Sequence, residues 1–258
     1  MEDSAAGGRL WEIDALRTLA IVLMVVYHVA WDVDFLAPEI PIEPLEGGWK
    51  TLQIVCGSLF LAIVGVSFWV ADSRVAARGL RGWALWRAHV PRAVEVLGAA
   101  LLVSVVTYIA FGHDGWVRFG ILHLIGVLML IVLPLLIRLR AWNALLGAGI
   151  IALGILSDPH SSVPGALALG FRPPVWGVDW YPLVPWAGAA LLGAALGSVL
   201  YPDGGRGPWL RWLPATSPAR VRAGFPGRHS LPIYLVHQPV LIVLTAGALA
   251  VLGVAVEF

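Results

Sequence analysis

Seven long apolar stretches constrain the fold of this chain more than any other feature. They lie at roughly 14–36, 51–71, 93–112, 119–138, 141–157, 180–200 and 231–252. An α-helix needs about 20 apolar residues to cross the hydrocarbon core of a bilayer. Only 13% of the 258 residues are charged, whereas soluble domains carry about 25%. The pattern predicts an all-α integral membrane protein with about seven transmembrane helices, forming a single domain over residues 1–258.

The distribution of lysine and arginine predicts the orientation of these spans. With the N-terminus in the cytoplasm, 14 of the 17 Lys and Arg residues fall on the cytoplasmic side. Only Lys50, Arg118 and Arg172 fall outside. Cytoplasmic loops carry such an excess of positive residues, and seven spans then place the C-terminus outside. The first stretch lacks a clear signal-peptide cleavage site, so we interpret it as a span of a multi-pass protein in the cell membrane.

The first span carries polar side chains that lipid penalises. Arg17 and His28 are eleven positions apart, which at about 100° per residue leaves them roughly 20° from facing the same way. Asp14 lies one turn from Arg17, and Asp32 lies one turn from His28. The four residues are therefore predicted to line one helix face for about 27 Å. A charged side chain at the centre of a span costs roughly 2.5–3.5 kcal/mol on insertion scales, which favours a functional role.

These residue types fit group transfer from a phosphorylated donor. The planar guanidinium of Arg17, with Asp14 beside it, suits phosphate. His28 can act as a base or nucleophile near neutral pH, and Asp32 is placed to orient its ring. Ordinary interpretations remain open for each residue: a snorkelling arginine, a packed histidine and a carboxylate at the membrane boundary.

Other polar residues at membrane depth extend the candidate site. His123, near the start of the fourth span, is predicted to lie at the depth of His28 and to help position an acceptor. Tyr234, His237 and Gln238 share one face of the last span, where they are predicted to lie below His28 and line the route of the donor. The alternative for these residues is hydrogen bonding that holds neighbouring helices together.

Three residues near the outer boundary are candidates for binding the acceptor. They are Asp34, Asp179 and Tyr181. Tyrosine and tryptophan at this depth are also ordinary members of an aromatic belt. In the sixth span, the Gly193-xxx-Gly197 spacing predicts close packing between helices rather than contact with substrate.

Several other chemistries have no support in the sequence. There is no Walker loop, HExxH, GxSxG or EF-hand pattern, and the histidines show no convincing metal-ligand spacing. Cys56 is the only cysteine, so a disulfide framework is excluded within one chain. We predict no metal and no nucleic-acid partner, and homo-oligomerisation is left open.

The motifs of the chain resemble the transmembrane acyltransferases. Arg9-Leu-Trp-Glu-Ile-Asp14-Ala-Leu-Arg17 followed by Met24-Val-Val-Tyr-His28 resembles their first-span signature. The rest is similar to the heparan-α-glucosaminide N-acetyltransferase group and its small prokaryotic relatives. The similar stretches begin at Ser58, Phe119, Tyr181 and Ser230 and include Phe119-Gly-Ile-Leu-His123 and Ser230-Leu-Pro-Ile-Tyr234-Leu-Val-His237-Gln238. The chain departs from the usual Arg-Gly pair, because Thr18 follows Arg17.

The resemblance implies a membrane acetyltransferase. It implies that acetyl-coenzyme A is supplied from the cytoplasm, that His28 is the histidine that accepts or activates the acetyl group, and that a sugar or glycan is acetylated on the far side. Two other functions remain open from the residues alone. The polar face is also compatible with a transporter or channel-like path, and the chain is also compatible with a non-catalytic membrane subunit.

Overall fold

The computed structural model describes residues 8–163, 165–174 and 177–256. About 75% of the chain is helical. Within the described residues there is no strand, and the only β-type pairing is an isolated bridge between His160 and Arg172. The all-α prediction is therefore confirmed.

Eleven α-helices occur in the described residues, several of them short. In order they are α1 (Trp11–Leu36), α2 (Gly47–Ala77), α3 (Gly82–Gly115), α4 (Ile121–Val127), α5 (Leu133–Leu136), α6 (Asn143–Leu156), α7 (Ala166–Leu169), α8 (Leu183–Leu200), α9 (Pro218–Ala223), α10 (Phe225–Arg228) and α11 (Ser230–Val251). A π-helical turn, Leu128–Val132, joins α4 to α5, and a 3₁₀ segment, Ile137–Trp142, leads into α6.

Six helical segments in the described residues are long and apolar enough to cross a membrane. This number differs from the predicted seven at one place, because Ile121–Leu156 counts as one segment of 36 residues. The segment is not continuous. Arg140 has φ 51° and ψ −125°, which is non-helical and interrupts the backbone between α5 and α6. The sequence predicts separate spans on either side of this break.

The chain divides into two compact units. The α3–α8 unit contains residues 61–215 together with the segment ending at Arg9, and the α1–α11 unit contains residues 10–60 and 216–258. The prediction of one domain over 1–258 stays a prediction.

Small residues bring α2 and α8 together inside the α3–α8 unit. A Cβ atom on Gly65 would lie 1.9 Å from the Ala190 carbonyl oxygen, and one on Gly193 would lie 2.0 Å from the Ala62 carbonyl oxygen. Two helices can approach this closely only where a side chain is missing. A Cβ atom on Gly197 would lie 3.0 Å from Cβ of Trp69. The predicted packing role of the Gly193-xxx-Gly197 spacing is therefore confirmed.

Replacing Gly65 by alanine is expected to destabilise the α3–α8 unit strongly. The new methyl group meets backbone atoms of α8, which cannot move without separating two helices, so we expect the free energy of unfolding to fall by about 3 kcal/mol. Thermal unfolding in detergent measures the effect. Gly98→Ala is the matched control, because Gly98 lies in α3 with nothing within 4 Å of its Cβ position. Equal melting temperatures for the two variants would contradict the close approach.

In the α1–α11 unit, α1 and α11 run parallel. Gly227, just before α11, packs against Asp14 near the start of α1, with a Cβ position 2.0 Å from the Asp14 carbonyl oxygen. Near the other end, Leu249 clusters with Leu36 and Ala37 at the end of α1. The two helices therefore begin at the same level and end at the same level.

This parallel arrangement bears on the number of crossings. Two spans that run in the same direction at the start and end of a chain require an odd number of crossings in total. The backbone break at Arg140 offers the place where Ile121–Leu156 becomes two crossings instead of one. The arrangement favours the predicted seven spans, and the number of spans and the cytoplasmic N-terminus stay predictions.

Candidate active site

The contact between α1 and α11 places two histidines side by side. The ring centroids of His28 and His237 are 4.6 Å apart and the rings are nearly perpendicular, at 89°. His237 is buried and His28 is half-buried. Tyr27 and Tyr234 contact the two rings from the sides, at centroid distances of 5.6 Å and 5.2 Å. The site is therefore a pair of imidazoles in a mostly aromatic and apolar surrounding.

Backbone carbonyls fix the tautomer of both rings. The Nδ1 atom of His28 lies 2.8 Å from the Met24 carbonyl oxygen, and Nδ1 of His237 is bonded to the Tyr234 carbonyl oxygen. A carbonyl only accepts, so each Nδ1 carries the hydrogen and each neutral ring has its lone pair on Nε2. Within the described residues, Nε2 of His237 is buried and has no hydrogen-bond partner. Such a lone pair is what a base or nucleophile requires.

A buried carboxylate and an amide extend the site next to the histidines. The Gln238 side-chain amide donates to Oδ1 of Asp32 at 2.5 Å. Asp32 has no solvent exposure. The other two oxygens of this pair, Oδ2 of Asp32 and Oε1 of Gln238, are buried without a hydrogen-bond partner in the described residues. Both oxygens accept hydrogen bonds, so the pair lacks donors.

The structure corrects two details of the sequence interpretation. His237 and Gln238 lie level with His28 and Asp32 rather than below them. The Met24 carbonyl oxygen orients the ring of His28, and Asp32 pairs with Gln238 instead of with His28 as predicted. Depth inferred from hydropathy failed because hydropathy marks where each span begins and does not give the offset between two packed helices.

At the start of α1, Asp14 holds Arg17. Nη1 of Arg17 donates to Oδ1 of Asp14 at 2.9 Å, which confirms the predicted contact between these neighbours. Asp14 is buried and Arg17 is half-buried. Two more arginines of the same unit stack on aromatic rings: Arg220 over Trp11 at 5.5 Å and Arg228 over Phe225 at 5.5 Å. Together with Arg222, this end of the unit carries four arginines against the two carboxylates Glu12 and Asp14 and is basic on balance.

Thr18 joins the start of α1 to α9 and α10. Its hydroxyl lies 3.1 Å from the carbonyl oxygens of Asp14 and Ala223, and it accepts a hydrogen bond from the Gly227 backbone N–H at 3.1 Å. The sequence showed Thr18 only as a departure from the family motif. In the structure, the Thr18 hydroxyl connects α1 to α9 and α10, and a glycine at position 18 could not make these hydrogen bonds.

His123 lies in the α3–α8 unit and has a different hydrogen-bonding state. Its Nδ1 accepts the backbone N–H of Gly120 at 3.2 Å, so the hydrogen is on Nε2, which lies 3.3 Å from Oγ of Ser104. The Ser104 hydroxyl in turn donates to the Val117 carbonyl oxygen at 2.6 Å. Both ring nitrogens are thus used to hold the start of α4. The predicted catalytic role of His123 stays a prediction, and this geometry does not add to it.

The three candidate acceptor residues are divided between the units. In the α3–α8 unit, Oδ2 of Asp179 accepts the Ile121 backbone N–H at 3.3 Å, and the buried ring of Tyr181 contacts Trp186 at 4.6 Å. Asp34 belongs to the α1–α11 unit and is half-buried. Asp179 and Tyr181 therefore contribute to packing at the start of α4 and α8, and binding of an acceptor by these residues stays a prediction.

One buried hydrogen-bonded pair was not identified from the sequence. Nε2 of His89 on α3 lies 3.2 Å from Oδ1 of Asp72 on α2, and Phe68 contacts the His89 ring at 4.5 Å. The two residues are seventeen positions apart and lie on different helices, so no local spacing signals the contact. Within the described residues, no group of three or more His, Cys, Asp or Glu side chains is arranged to hold a metal ion.

Apolar helices long enough to span a bilayer, together with buried histidine, carboxylate and amide groups at membrane depth, define a multi-pass membrane protein with an internal polar site. The sequence model of the family described as heparan-alpha-glucosaminide N-acetyltransferase, catalytic, matches residues 9–239. The chain belongs to this family, which indicates an acyltransferase. No curated protein and no solved structure matches it.

Proposed function

We propose that the protein transfers an acetyl group from cytoplasmic acetyl-coenzyme A to an amine or hydroxyl of a sugar on the outer side of the cell membrane. The observation that carries the proposal is the ring of His28, whose Nδ1 is held by the Met24 carbonyl oxygen so that the lone pair lies on Nε2. Its centroid lies 4.6 Å from that of His237, a second imidazole in the same tautomer. Membership of an acetyltransferase family supports the choice of acetyl as the transferred group.

The reaction balances in two ways that use the same atoms of the protein. In the first, Nε2 of His28 removes the acceptor proton while the acceptor attacks the thioester carbon. In the second, Nε2 attacks that carbon and the acceptor then displaces the imidazole. In both, the C–S bond breaks, a C–N or C–O bond to the acceptor forms, and the acceptor proton ends on the thiol of coenzyme A.

The unpaired oxygens beside the histidines support an acceptor that brings hydrogen-bond donors. A buried acceptor atom without a partner costs about 1–3 kcal/mol. Oδ2 of Asp32 and Oε1 of Gln238 are two such atoms. Amino and hydroxyl groups of a sugar would supply the missing N–H or O–H groups, and a purely apolar acceptor would not.

The basic end of the α1–α11 unit supports the position of the donor. Arg17 lies eleven residues, or about 16 Å, along α1 from His28. Arginine forks bind phosphate oxygens in pairs, and Asp14 holds the Arg17 guanidinium at 2.9 Å. We propose that Arg17, Arg220 and Arg228 bind the phosphates of coenzyme A, that Asp14 positions Arg17, and that Tyr234 contacts the arm leading to His28.

Acetyl-coenzyme A labelled on its acetyl carbon tests the proposal with purified protein. Glucosamine and N-acetylglucosamine form a matched pair of acceptors, because the second has its amine blocked and offers hydroxyls only. We expect label in at least one sugar, together with release of free thiol. Label on the protein before acceptor is added indicates the acetyl-histidine route, and label in the sugar alone indicates direct transfer. Absence of donor binding and of transfer to either sugar would overturn the proposal.

A further inference from the structure

In the described residues, exposed tryptophan occurs on one predicted side of the protein only. Trp176 lies outside the described residues, and of the other twelve tryptophans four are exposed. These are Trp83, Trp142, Trp209 and Trp212, with exposed fractions of 67%, 71%, 71% and 78%. All four belong to the α3–α8 unit. Trp83, Trp209 and Trp212 lie on connections predicted to be cytoplasmic, and Trp142 lies at the cytoplasmic start of the predicted span 141–157. An aromatic belt occurs at both membrane interfaces, so it does not account for this asymmetry.

None of the described tryptophans predicted on the outer side is exposed, since Trp49, Trp116, Trp180 and Trp186 are half-buried. The indole N–H of Trp180 donates to the Leu167 carbonyl oxygen at 3.0 Å, and Trp186 contacts the ring of Tyr181. The exposed tryptophans of the inner side therefore offer a surface that the described outer tryptophans do not.

Each exposed tryptophan lies within four residues of an exposed arginine that has no hydrogen bond or ion pair in the described residues. These arginines are Arg87, Arg138 and Arg211. Arg140, which is also exposed and close to Trp142 in sequence, lies over the Trp69 ring at 5.4 Å. Among the other cations of the same unit, Arg74 donates to the Gly204 carbonyl oxygen and Arg92 to Glu95, whereas Arg78 is exposed without a side-chain partner in the described residues. Asp72 is buried against His89. Asp203 is the exposed carboxylate remaining near this surface.

The first turns of α3 show the depth at which one pair of exposed tryptophan and arginine, Trp83 and Arg87, lies. The helix runs from Gly82 to its break at Gly112, roughly 45 Å at 1.5 Å per residue, against a hydrocarbon core of about 30 Å. Its first turns therefore extend to the level of the lipid headgroups. There the Trp83 ring stacks on Trp86 at 4.4 Å, and the Trp86 indole N–H donates to the Leu130 carbonyl oxygen. The aromatic pair is held in place beside Arg87.

We propose that Trp83, Arg87, Arg138, Trp142 and the Trp209–Trp212 segment form a surface that binds anionic phospholipid headgroups of the inner leaflet. Indole rings favour the headgroup depth because they have an apolar body and a polar N–H. Unpaired guanidinium groups at that depth attract lipids with a net negative headgroup. The surface lies outside the candidate active site, and the proposal does not depend on acetyl transfer.

Native mass spectrometry of the purified protein tests this surface. The protein is equilibrated in detergent with equal amounts of phosphatidylglycerol and phosphatidylcholine carrying the same acyl chains. We expect wild type to retain phosphatidylglycerol preferentially, and each of Arg87→Gln, Arg138→Gln and Arg211→Gln to lower that preference by up to about fivefold. The triple variant is expected to retain the two lipids nearly equally. The single variants carry the same test if the triple variant does not fold.

Lys50→Gln is the matched control, because Lys50 is exposed, lies on the predicted outer side and is likewise replaced by glutamine. We expect it to leave the preference unchanged. An unchanged preference in all three arginine variants, or an equal loss in Lys50→Gln, would overturn the proposal. Displacement of phosphatidylglycerol by an equal concentration of coenzyme A would assign the arginines to the donor instead and would overturn it as well.

Discussion

Replacing His28 by asparagine is expected to reduce acetyl transfer by about 10²–10⁴-fold, the usual contribution of a positioned base or nucleophile. The asparagine amide can take the place of Nδ1 and donate to the Met24 carbonyl oxygen, which the histidine does at 2.8 Å. It supplies nothing in place of Nε2. The substitution therefore removes the reactive lone pair and preserves the local hydrogen bond. Transfer of labelled acetyl groups, normalised to folded protein, measures the effect.

His113→Asn is the matched control for this experiment. His113 is exposed, and its pairing with Asp114 is between two exposed side chains, which contributes little to stability. We expect its transfer rate and melting temperature to equal those of wild type. Full transfer activity in His28→Asn would show that the reaction uses another group. Thermal unfolding of both variants separates loss of chemistry from loss of fold.

Replacing Gln238 by glutamate is expected to lower the free energy of unfolding by about 3–5 kcal/mol. The change places a second carboxylate at hydrogen-bond distance from Asp32, which has no solvent exposure. Two buried carboxylates repel each other and lose the amide donor that now satisfies Oδ1 of Asp32. The double variant Asp32→Asn/Gln238→Glu reverses the pair and restores one amide facing one carboxylate. We expect it to regain at least about 2 kcal/mol relative to the sum of the two single changes.

Gln53→Glu is the control for Gln238→Glu, because it introduces a carboxylate at a position where no second carboxylate is hydrogen-bonded to the side chain. Gln53 lies near the start of α2 and has no hydrogen bond in the described residues. We expect this variant to lose much less stability than Gln238→Glu. A double variant no more stable than the sum of its single changes would contradict the contact between Asp32 and Gln238. Thermal unfolding at a fixed detergent concentration measures wild type, the two single variants, the double variant and Gln53→Glu.

The sequence was sufficient for properties that depend on local periodicity. Runs of about 20 apolar residues predict helices in a bilayer because such a helix satisfies its own backbone hydrogen bonds. The pairing of Asp14 with Arg17 follows from one turn of helix and is found at 2.9 Å. The first-span motif around Arg17 and His28 indicated the family that the match over residues 9–239 identifies.

Contacts between helices were decided by the tertiary structure. The level of His237 beside His28 depends on how far α11 slides along α1, and that position is set where Gly227 and Thr18 meet. Hydropathy marks where a span begins and carries no information about this offset, so it placed His237 too low. The predicted contact between Asp32 and His28 was wrong for the same reason, because Asp32 pairs with Gln238 on α11. A helical period fixes which residues share a face, whereas packing against a second helix decides which side chains on that face meet.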